Sequence, residues 1–155
     1  MKIKPAEIDQ FLEILEKNPQ RMKKAILRVD KERLHSRSDT EPWSTNDILA
    51  HVRSCADVWG ESIEKMMAED HPKLGYIHPR QWVRRMGYLE MDFAASFKDF
   101  SEQRKRLLRM LKRLPFEDWQ RGAIIQGREH TVFSQVRRMA KHESEHCEQI
   151  ESLLK

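Results

Sequence analysis

The sequence has few of the residues that interrupt or cross-link a chain: its 155 residues include two cysteines, five glycines and six prolines. Cys55 and Cys147 are too few for a disulfide framework, so a disulfide-rich secreted scaffold is excluded and both are expected to be thiols. No stretch approaches the roughly 18 consecutive apolar residues that cross a bilayer, and the first ten residues lack the apolar core of a secretory signal. We therefore expect a cytoplasmic protein without membrane association that forms one domain over residues 1–155.

Charge and apolar content favour a helical protein. Charged residues make up 35% of the sequence and hydrophobic residues 39%, and runs of β-branched residues are short. The net charge of +4 permits attraction to polyanions without requiring it. The strongest nucleic-acid signal is the basic run 103–113, whose leucines turn inward on a helix while its cations spread over an exposed face. Because no stacking aromatics accompany this run, a solvated face explains it better, and a nucleic-acid-binding helical module is the least favoured functional class.

Apolar residues recur at spacings of three and four along much of the chain, as in amphipathic helices. Residues 5–17 predict a first helix. Asn18-Pro19 predicts the start of a second stretch, because asparagine is a good N-cap and proline suits the first helical position. Together these segments would form a broken first helix. Ser44, with Asp47 three residues later, predicts a capped helix that runs to about Glu69.

The second half of the sequence predicts two more helices. One runs from about Trp82 or Leu89 to Leu114, where a proline stops it, and the last begins after Thr131 as its N-cap. Residues 70–80 form a connection, and no segment alternates long enough to predict a strand. The predicted fold is all-α, an up-down type four-helix bundle.

The last predicted helix carries the clearest chemistry. Residues 142–146 read HESEH, which matches the pattern H-E-x-x-H. The spacing of four places the rings of His142 and His146 one turn apart on one helix face, where both can bind a single cation. In zinc peptidases with this pattern the glutamate is a general base and a third ligand usually lies downstream. Only nine residues follow His146 and none is histidine, so a peptidase is not favoured.

A third metal ligand must then come from another helix. A helical projection at about 100° per residue places His142 and His146 at the edge of the apolar stripe of the last helix. The same projection places His51 at the edge of the stripe of the second long helix, near Asp47 and Cys55. Three imidazoles can therefore converge at a helix boundary. A three-histidine site leaves coordination positions open for water or substrate, as a catalytic metal requires.

Two segments carry a family resemblance. Residues 42–52, PWSTNDILAHV, resemble the W-S-x-x-E-I-L-A-H-L segment of the DinB/YfiT-like superfamily, and residues 142–150, HESEHCEQI, resemble its terminal H-x-x-x-H-x-x-Q-I. The likeness runs nearly end to end, and the order and separation of the two segments make the pair specific. One departure is Asp47, where the family often has glutamate. This position should not affect the metal.

The resemblance implies a four-helix bundle with one divalent metal ion, nickel or zinc, held by His51, His142 and His146. Characterised relatives include thiol-dependent S-transferases and a thiol-dependent isomerase, and others are described as metal-dependent hydrolases. Relatives are often dimeric, so a homodimer is expected. We expect a metal-dependent enzyme acting on a small molecule, either a hydrolase or an S-transferase with a low-molecular-weight thiol as cofactor. The alternative is a non-enzymatic, stress-related protein that binds a metal or a ligand, and the catalytic residues are not assigned.

Several other polar residues each keep two interpretations. Glu143 projects toward the middle of the apolar stripe; it would orient a ligand histidine or act as a base, or else form an ion pair with an arginine of a facing helix. The ion pair is favoured over base catalysis. Gln149 could hydrogen-bond at the open metal position or make only a helix contact. Cys55 is more often a small core residue than a fourth ligand. His71 and His78, in the connection 70–80, either line a substrate pocket or are exposed to solvent.

Overall fold

The chain forms six α-helices and three short β-strands in the computed structural model, which describes residues 2–155. Four long helices pack side by side, with α1 and α3 each packed against both α5 and α6, so the predicted four-helix bundle is confirmed. Two 3-10 helices lie at Tyr88–Glu90 and Phe116–Gln120. The helices are α1 (Pro5–Ala25), α2 (Lys31–His35), α3 (Thr45–Ala68), α4 (Pro79–Met86), α5 (Phe93–Lys112) and α6 (Val132–Leu153), and the strands are β1 (Lys73–Leu74), β2 (Gly122–Ile125) and β3 (Arg128–Thr131).

The first and last helices lie side by side and run in the same direction. Near the start of both, Phe11 packs on Phe133 with ring centroids 5.8 Å apart. Near the end of both, Arg21 forms an ion pair with Glu151 at 2.5 Å. The helices α1 and α6 are therefore parallel neighbours, although they are the first and last helices in the sequence.

The other two long helices are also parallel to each other. Arg53 of α3 pairs with Asp99 of α5 at 3.1 Å, and further along both helices Asp57 accepts a hydrogen bond from Gln103. Because α3 and α5 share a direction, the chain between them, residues 69–92, must return to the end of the bundle where α3 began. The strand β1 and the helix α4 lie in this return segment.

The helix α3 runs opposite to α6. His51, early in α3, lies 3.2 Å from His142 in the second half of α6. Trp59, about two turns further along α3, lies beneath Arg138, which comes earlier in α6. The predicted up-down order therefore needs a correction: direction reverses between α1 and α3 and between α5 and α6, but not between α3 and α5. The return segment permits this, and the sequence pattern gave no sign of it.

The first helix is continuous, which corrects the predicted break at Asn18-Pro19. Pro19 lies inside α1 and has no N–H to donate to the carbonyl of Leu15, four residues earlier. That carbonyl instead accepts a hydrogen bond from Arg104 Nη1 at 3.0 Å. Asn18 is not a cap; its side chain is buried and donates to Glu143 at 3.0 Å. Tertiary hydrogen bonds thus compensate for the proline.

Of the two predicted starts of the helix that ends at Leu114, Trp82 lies in a separate helix, α4, and Leu89 lies four residues before α5 begins. The helix α4 ends at Gly87, whose φ of +69° is the left-handed conformation that glycine adopts readily. The helix α5 begins only at Phe93.

The expectation of no strands is also wrong. The strands β2 and β3 form an antiparallel hairpin around Gln126 and Gly127, both with positive φ, and β1 pairs with β2 in parallel. Each of these strands has at most four residues, too short for an alternating pattern to be visible. The two predicted caps are confirmed, since Ser44 with Asp47 and Thr131 with Ser134 form capping boxes.

The bundle interior is apolar, and its largest fully buried side chains include Phe100, Leu15, Met22 and Met139. The helices bury these side chains against one another, as expected for amphipathic helices. Among residues 2–155, no helix combines the length and apolar content that a membrane span requires.

One charged pair lies inside this apolar interior. Arg104 of α5 and Glu143 of α6 are each 2% exposed, and both guanidinium Nη atoms donate to the carboxylate at 2.6 Å. Asn18 of α1 donates to the same carboxylate. Arg104 therefore does not belong to the solvated face predicted for the basic run 103–113. The pair joins three helices of the bundle.

We predict that replacing one partner of this pair destabilises the fold strongly. The change Glu143→Gln preserves the side-chain shape but leaves the Arg104 guanidinium buried without a compensating charge. We expect the free energy of unfolding to fall by roughly 3–5 kcal/mol. Urea unfolding followed by circular dichroism measures it.

The matched control is Glu148→Gln, which removes the same charge from an exposed position of α6 and should change stability by about 0.5 kcal/mol or less. If both variants lost the same free energy of unfolding, the buried pair would not stabilise the fold as proposed.

Candidate metal centre

Three histidines from two helices meet at one point of the bundle. His51 lies in the second turn of α3, and His142 and His146 lie one turn apart on α6. The Nε2 atoms of His51 and His142 are 3.2 Å apart, as are those of His142 and His146. One ligand atom from each ring lies within 4.8 Å of the other two. The structure thus brings together the three histidines that the sequence analysis selected.

The capping box of α3 helps to position His51. Ser44 and Asp47 fix where the helix begins, and Asp47 also binds Arg37 through two hydrogen bonds of 2.8 and 3.2 Å. Burial raises the pKa of Asp47, but the hydrogen bonds from Arg37 and Ser44 outweigh it, so the pKa lies below its ordinary value. The carboxylate therefore stays charged and holds the first turn in place.

The environment of the histidines keeps two of them neutral. Burial lowers the pKa of His51 to about 4, and electrostatic repulsion between a protonated His51 and the neighbouring imidazoles and Arg80 lowers it further. Burial, followed by the same kind of repulsion from the neighbouring imidazole on α6, lowers the pKa of His142 to about 4 as well. At neutral pH both imidazoles therefore have a lone pair available, which is the form that binds a metal.

Gln149 orients the third imidazole. Its Oε1 lies 2.8 Å from His146 Nδ1, and its amide nitrogen donates to Glu41 at 3.3 Å. Because the carboxylate of Glu41 can only accept, the amide oxygen must face His146 and accept the Nδ1 proton. The lone pair of His146 then lies on Nε2, toward the other two rings. Gln149 thus contacts the Nδ1 side of His146, whereas the sequence analysis placed it either at the open metal position or in a helix contact.

Two tryptophans enclose the imidazoles. The Trp43 ring lies 5.3 Å from the ring of His51 and stacks on His146 at 6.5 Å. The Trp59 ring meets His142 edge-on at 5.2 Å. Trp59 is buried in the core and also borders the histidines. These flat, rigid side chains restrict the rotation of the imidazoles.

The donor set fits a divalent transition-metal ion. Metal–nitrogen bonds of roughly 2.0–2.1 Å at angles of 90–110° separate two ligand nitrogens by about 2.8–3.4 Å. The observed separations of 3.2 Å lie in this range. Without a cation, a single shared proton cannot satisfy three nitrogens that face one another. Nitrogen ligands of this kind suit zinc, nickel, copper and iron better than magnesium or calcium.

Cys55 approaches this group without joining it. Its Sγ lies 3.7 Å from His51 Nε2, and burial raises the pKa of the thiol to about 12. A thiol at neutral pH is a weak metal ligand, since it is the thiolate that binds. The structure is consistent with the interpretation of Cys55 as a core residue.

Glu143 points away from the three histidines. Arg104 and Asn18 occupy its carboxylate oxygens, so the ion-pair interpretation describes its contacts.

Three of the four remaining histidines have other partners. His71 lies 3.0 Å from Glu129, the His78 side chain caps α4 by accepting from the Arg80 amide, and His35 accepts from the Phe93 amide. Neither His71 nor His78 belongs to the three-histidine group.

Sequence reasoning missed the arginines of α4. Arg80 and Arg84 line a cavity of about 560 Å³ that also borders His51. Their spacing of four on a helix that follows His78-Pro79 was the available signal. This signal could be recognised only if the sequence analysis had predicted α4 and α5 as two separate helices.

Comparison with solved structures agrees with the four-helix fold. A solved structure, YfiT from Bacillus subtilis, described as "a probable metal-dependent hydrolase with an unusual four-helix bundle topology", matches with a TM-score of 0.84 and 17% sequence identity. The match covers 98% of this chain and 88% of that one. At this identity the likeness establishes the fold. No curated protein matches this chain significantly.

A family comparison covers most of the sequence. The family model of the DinB superfamily matches residues 14–150, a span that includes His51, His142 and His146. Since this span exceeds half of the chain, the protein belongs to the DinB superfamily.

Proposed function

We propose that this protein is a metal-dependent enzyme in which His51, His142 and His146 hold one divalent ion. The observation that carries the proposal is the convergence of three Nε2 atoms from two helices. The Nε2 atom of His142 lies 3.2 Å from that of His51 and 3.2 Å from that of His146. The low pKa values of His51 and His142 and the bond from His146 to Gln149 support it, because they favour imidazoles that are neutral and correctly oriented. Nickel and zinc are the metals we propose.

Bound there, such an ion would supply Lewis-acid activation of water, of a thiol or of a polarised bond in the substrate. The chain itself supplies three ligands and leaves the remaining coordination positions to small molecules. Gln149 holds the His146 ring in place, and Trp43 and Trp59 limit the volume around the rings. Glu143 is not proposed as a base, since Arg104 and Asn18 bind its carboxylate.

For the reaction we propose hydrolysis of a small molecule, in line with the description of YfiT. Thiol-dependent S-transfer is the second reaction class, and a low-molecular-weight thiol would then be the cosubstrate. A cytoplasmic location, a homodimeric assembly and a single domain over the whole chain complete the proposal. A nucleic-acid-binding role is not proposed, because no stacking aromatics accompany the basic run 103–113, and one of its cations, Arg104, is buried.

We predict that His51→Ala removes the metal. Protein without a polyhistidine tag should bind about one equivalent of zinc or nickel after loading and desalting, and the variant should retain almost none, because two ligands on one helix bind far more weakly than three. Inductively coupled plasma mass spectrometry measures the ratio of metal to protein. The matched control His71→Ala removes an exposed histidine outside the group and should keep the full equivalent. Equal metal content in both variants would contradict the assignment.

The reaction class is tested with the metal-loaded protein and two probes. We expect loaded protein, but not His51→Ala, to hydrolyse 4-nitrophenyl acetate at a rate proportional to its metal content. S-transfer would instead appear as metal-dependent conjugation of cysteine to 1-chloro-2,4-dinitrobenzene. Absorbance spectroscopy follows both reactions. If loaded protein and variant are equally slow in both assays, the enzymatic proposal fails and a metal-binding role replaces it.

We predict that the metal-free protein loses stability as the pH falls from about 6.5 to 4. His51 and His142 have a pKa of about 4 when folded and about 6.5 when unfolded. Between these values the unfolded chain binds more protons, so lowering the pH favours unfolding.

The urea midpoint, measured in the presence of a chelator, should therefore fall more steeply with pH than in the His51→Gln, His142→Gln double variant. Identical pH profiles for the two proteins would contradict the neutral state assigned to these imidazoles.

A further inference from the structure

A cavity of about 560 Å³ opens beside the three histidines. Its wall includes His51 and also Trp43, whose ring contacts that of His51. One part of its wall is apolar and one part is strongly basic. Three arginines border it, but only one carboxylate does so. The wall comprises Pro42, Trp43, Val83 and Leu89 on the apolar part, and Arg37, Arg80, Arg84, Asp47 and His51 on the polar part.

Two of the three arginines are free to bind a ligand. Arg37 is engaged by Asp47 through two hydrogen bonds. Among the described residues, 2–155, Arg80 and Arg84 have no carboxylate within 4 Å. The cavity wall therefore carries two positive charges that the protein itself does not neutralise. Charge of one sign on the wall of a cleft attracts a ligand of opposite sign.

The two free arginines stand on the same face of a firmly held helix. Residues four apart on a helix are neighbours, so Arg80 and Arg84 present adjacent guanidinium groups. The helix α4 is attached to α3 through Asp57, which accepts hydrogen bonds from Trp82 Nε1 at 2.9 Å and from Tyr88 at 2.5 Å. The side chain of Val83, between the arginines, is buried. The helix that carries the two arginines is therefore held in place against α3, the helix of His51.

We propose that this cavity binds a small amphipathic oxyanion, a carboxylate or a phosphate ester, with its negative group between Arg80 and Arg84 and its apolar part against Trp43 and Leu89. Planar guanidinium groups match the oxygens of both anions. The inference rests on the proposed function, because such an anion would be the substrate class of the metal centre. His51 borders the cavity, so the bond to be cleaved or formed would lie on that side.

Isothermal titration calorimetry with three related probes tests the inference on the metal-loaded full chain. The probes are 3-phenylpropionate, phenyl phosphate and the uncharged 3-phenylpropionamide. We expect both anions to bind at least about 10-fold more tightly than the amide, as charge-assisted hydrogen bonds imply. The double variant Arg80→Gln, Arg84→Gln should lose this preference and leave amide binding unchanged.

The matched control is Arg85→Gln, which removes the same charge from an exposed position of α4 that does not border the cavity. It should keep the preference for anions. Equal binding of anions and amide to the unmodified protein would overturn the inference. So would an equal loss in the control and in the double variant, since this would indicate only a general effect of net charge. Unchanged anion binding in the double variant with loss in His51→Ala would mean that anions bind the metal instead of the arginines.

Metal content, measured in the same samples, separates this inference from the proposed function. If no form of the protein binds metal but the arginine-dependent preference persists, the oxyanion site stands and the metal proposal fails. If one equivalent of metal is bound and the preference is absent, the oxyanion site fails alone. Circular dichroism of each variant confirms that it is folded.

Discussion

The buried pair of Arg104 and Glu143 determines how the last helix is rotated in the bundle. A carboxylate in an apolar interior is tolerated only where an opposite charge meets it, so Glu143 must face α5 and α1. With about 100° per residue, the positions of His142, His146 and Gln149 then lie roughly 60–120° to one side of Glu143. That side faces α3 and His51. A charge pair outside the site thus directs two imidazoles into it.

The imidazoles themselves are placed where protonation is costly. Burial lowers the pKa of both His51 and His142 to about 4, and tryptophan rings surround the cluster. A bundle that needed only stability would have little use for three facing imidazoles at this point, since their lone pairs cannot all be satisfied by one another. A bound cation satisfies all three, and the basic cavity beside them adds room for a second, negatively charged molecule.

Sequence reasoning succeeded where the signal is local. The caps at Ser44 and Thr131 depend on residues three positions apart, and the placement of His142 and His146 on one helix face depends on a single helical turn. It failed where a distant contact decided the outcome. Asn18-Pro19 resembles a helix start, but Arg104 satisfies the carbonyl that the proline leaves free. The hairpin escaped notice because its strands are only four residues long. The parallel direction of α3 and α5 depends on residues 69–92, whose path no local pattern specifies.

X-ray absorption at the zinc edge, on protein loaded with one equivalent of zinc, tests most directly whether three imidazoles hold the ion. Nitrogen and oxygen ligands at roughly 2.0–2.1 Å, with the outer-shell scattering of three imidazole rings, are the expected result. Sulfur at roughly 2.3 Å would place Cys55 among the ligands and contradict the assignment. A spectrum without imidazole scattering would exclude the three-histidine centre altogether.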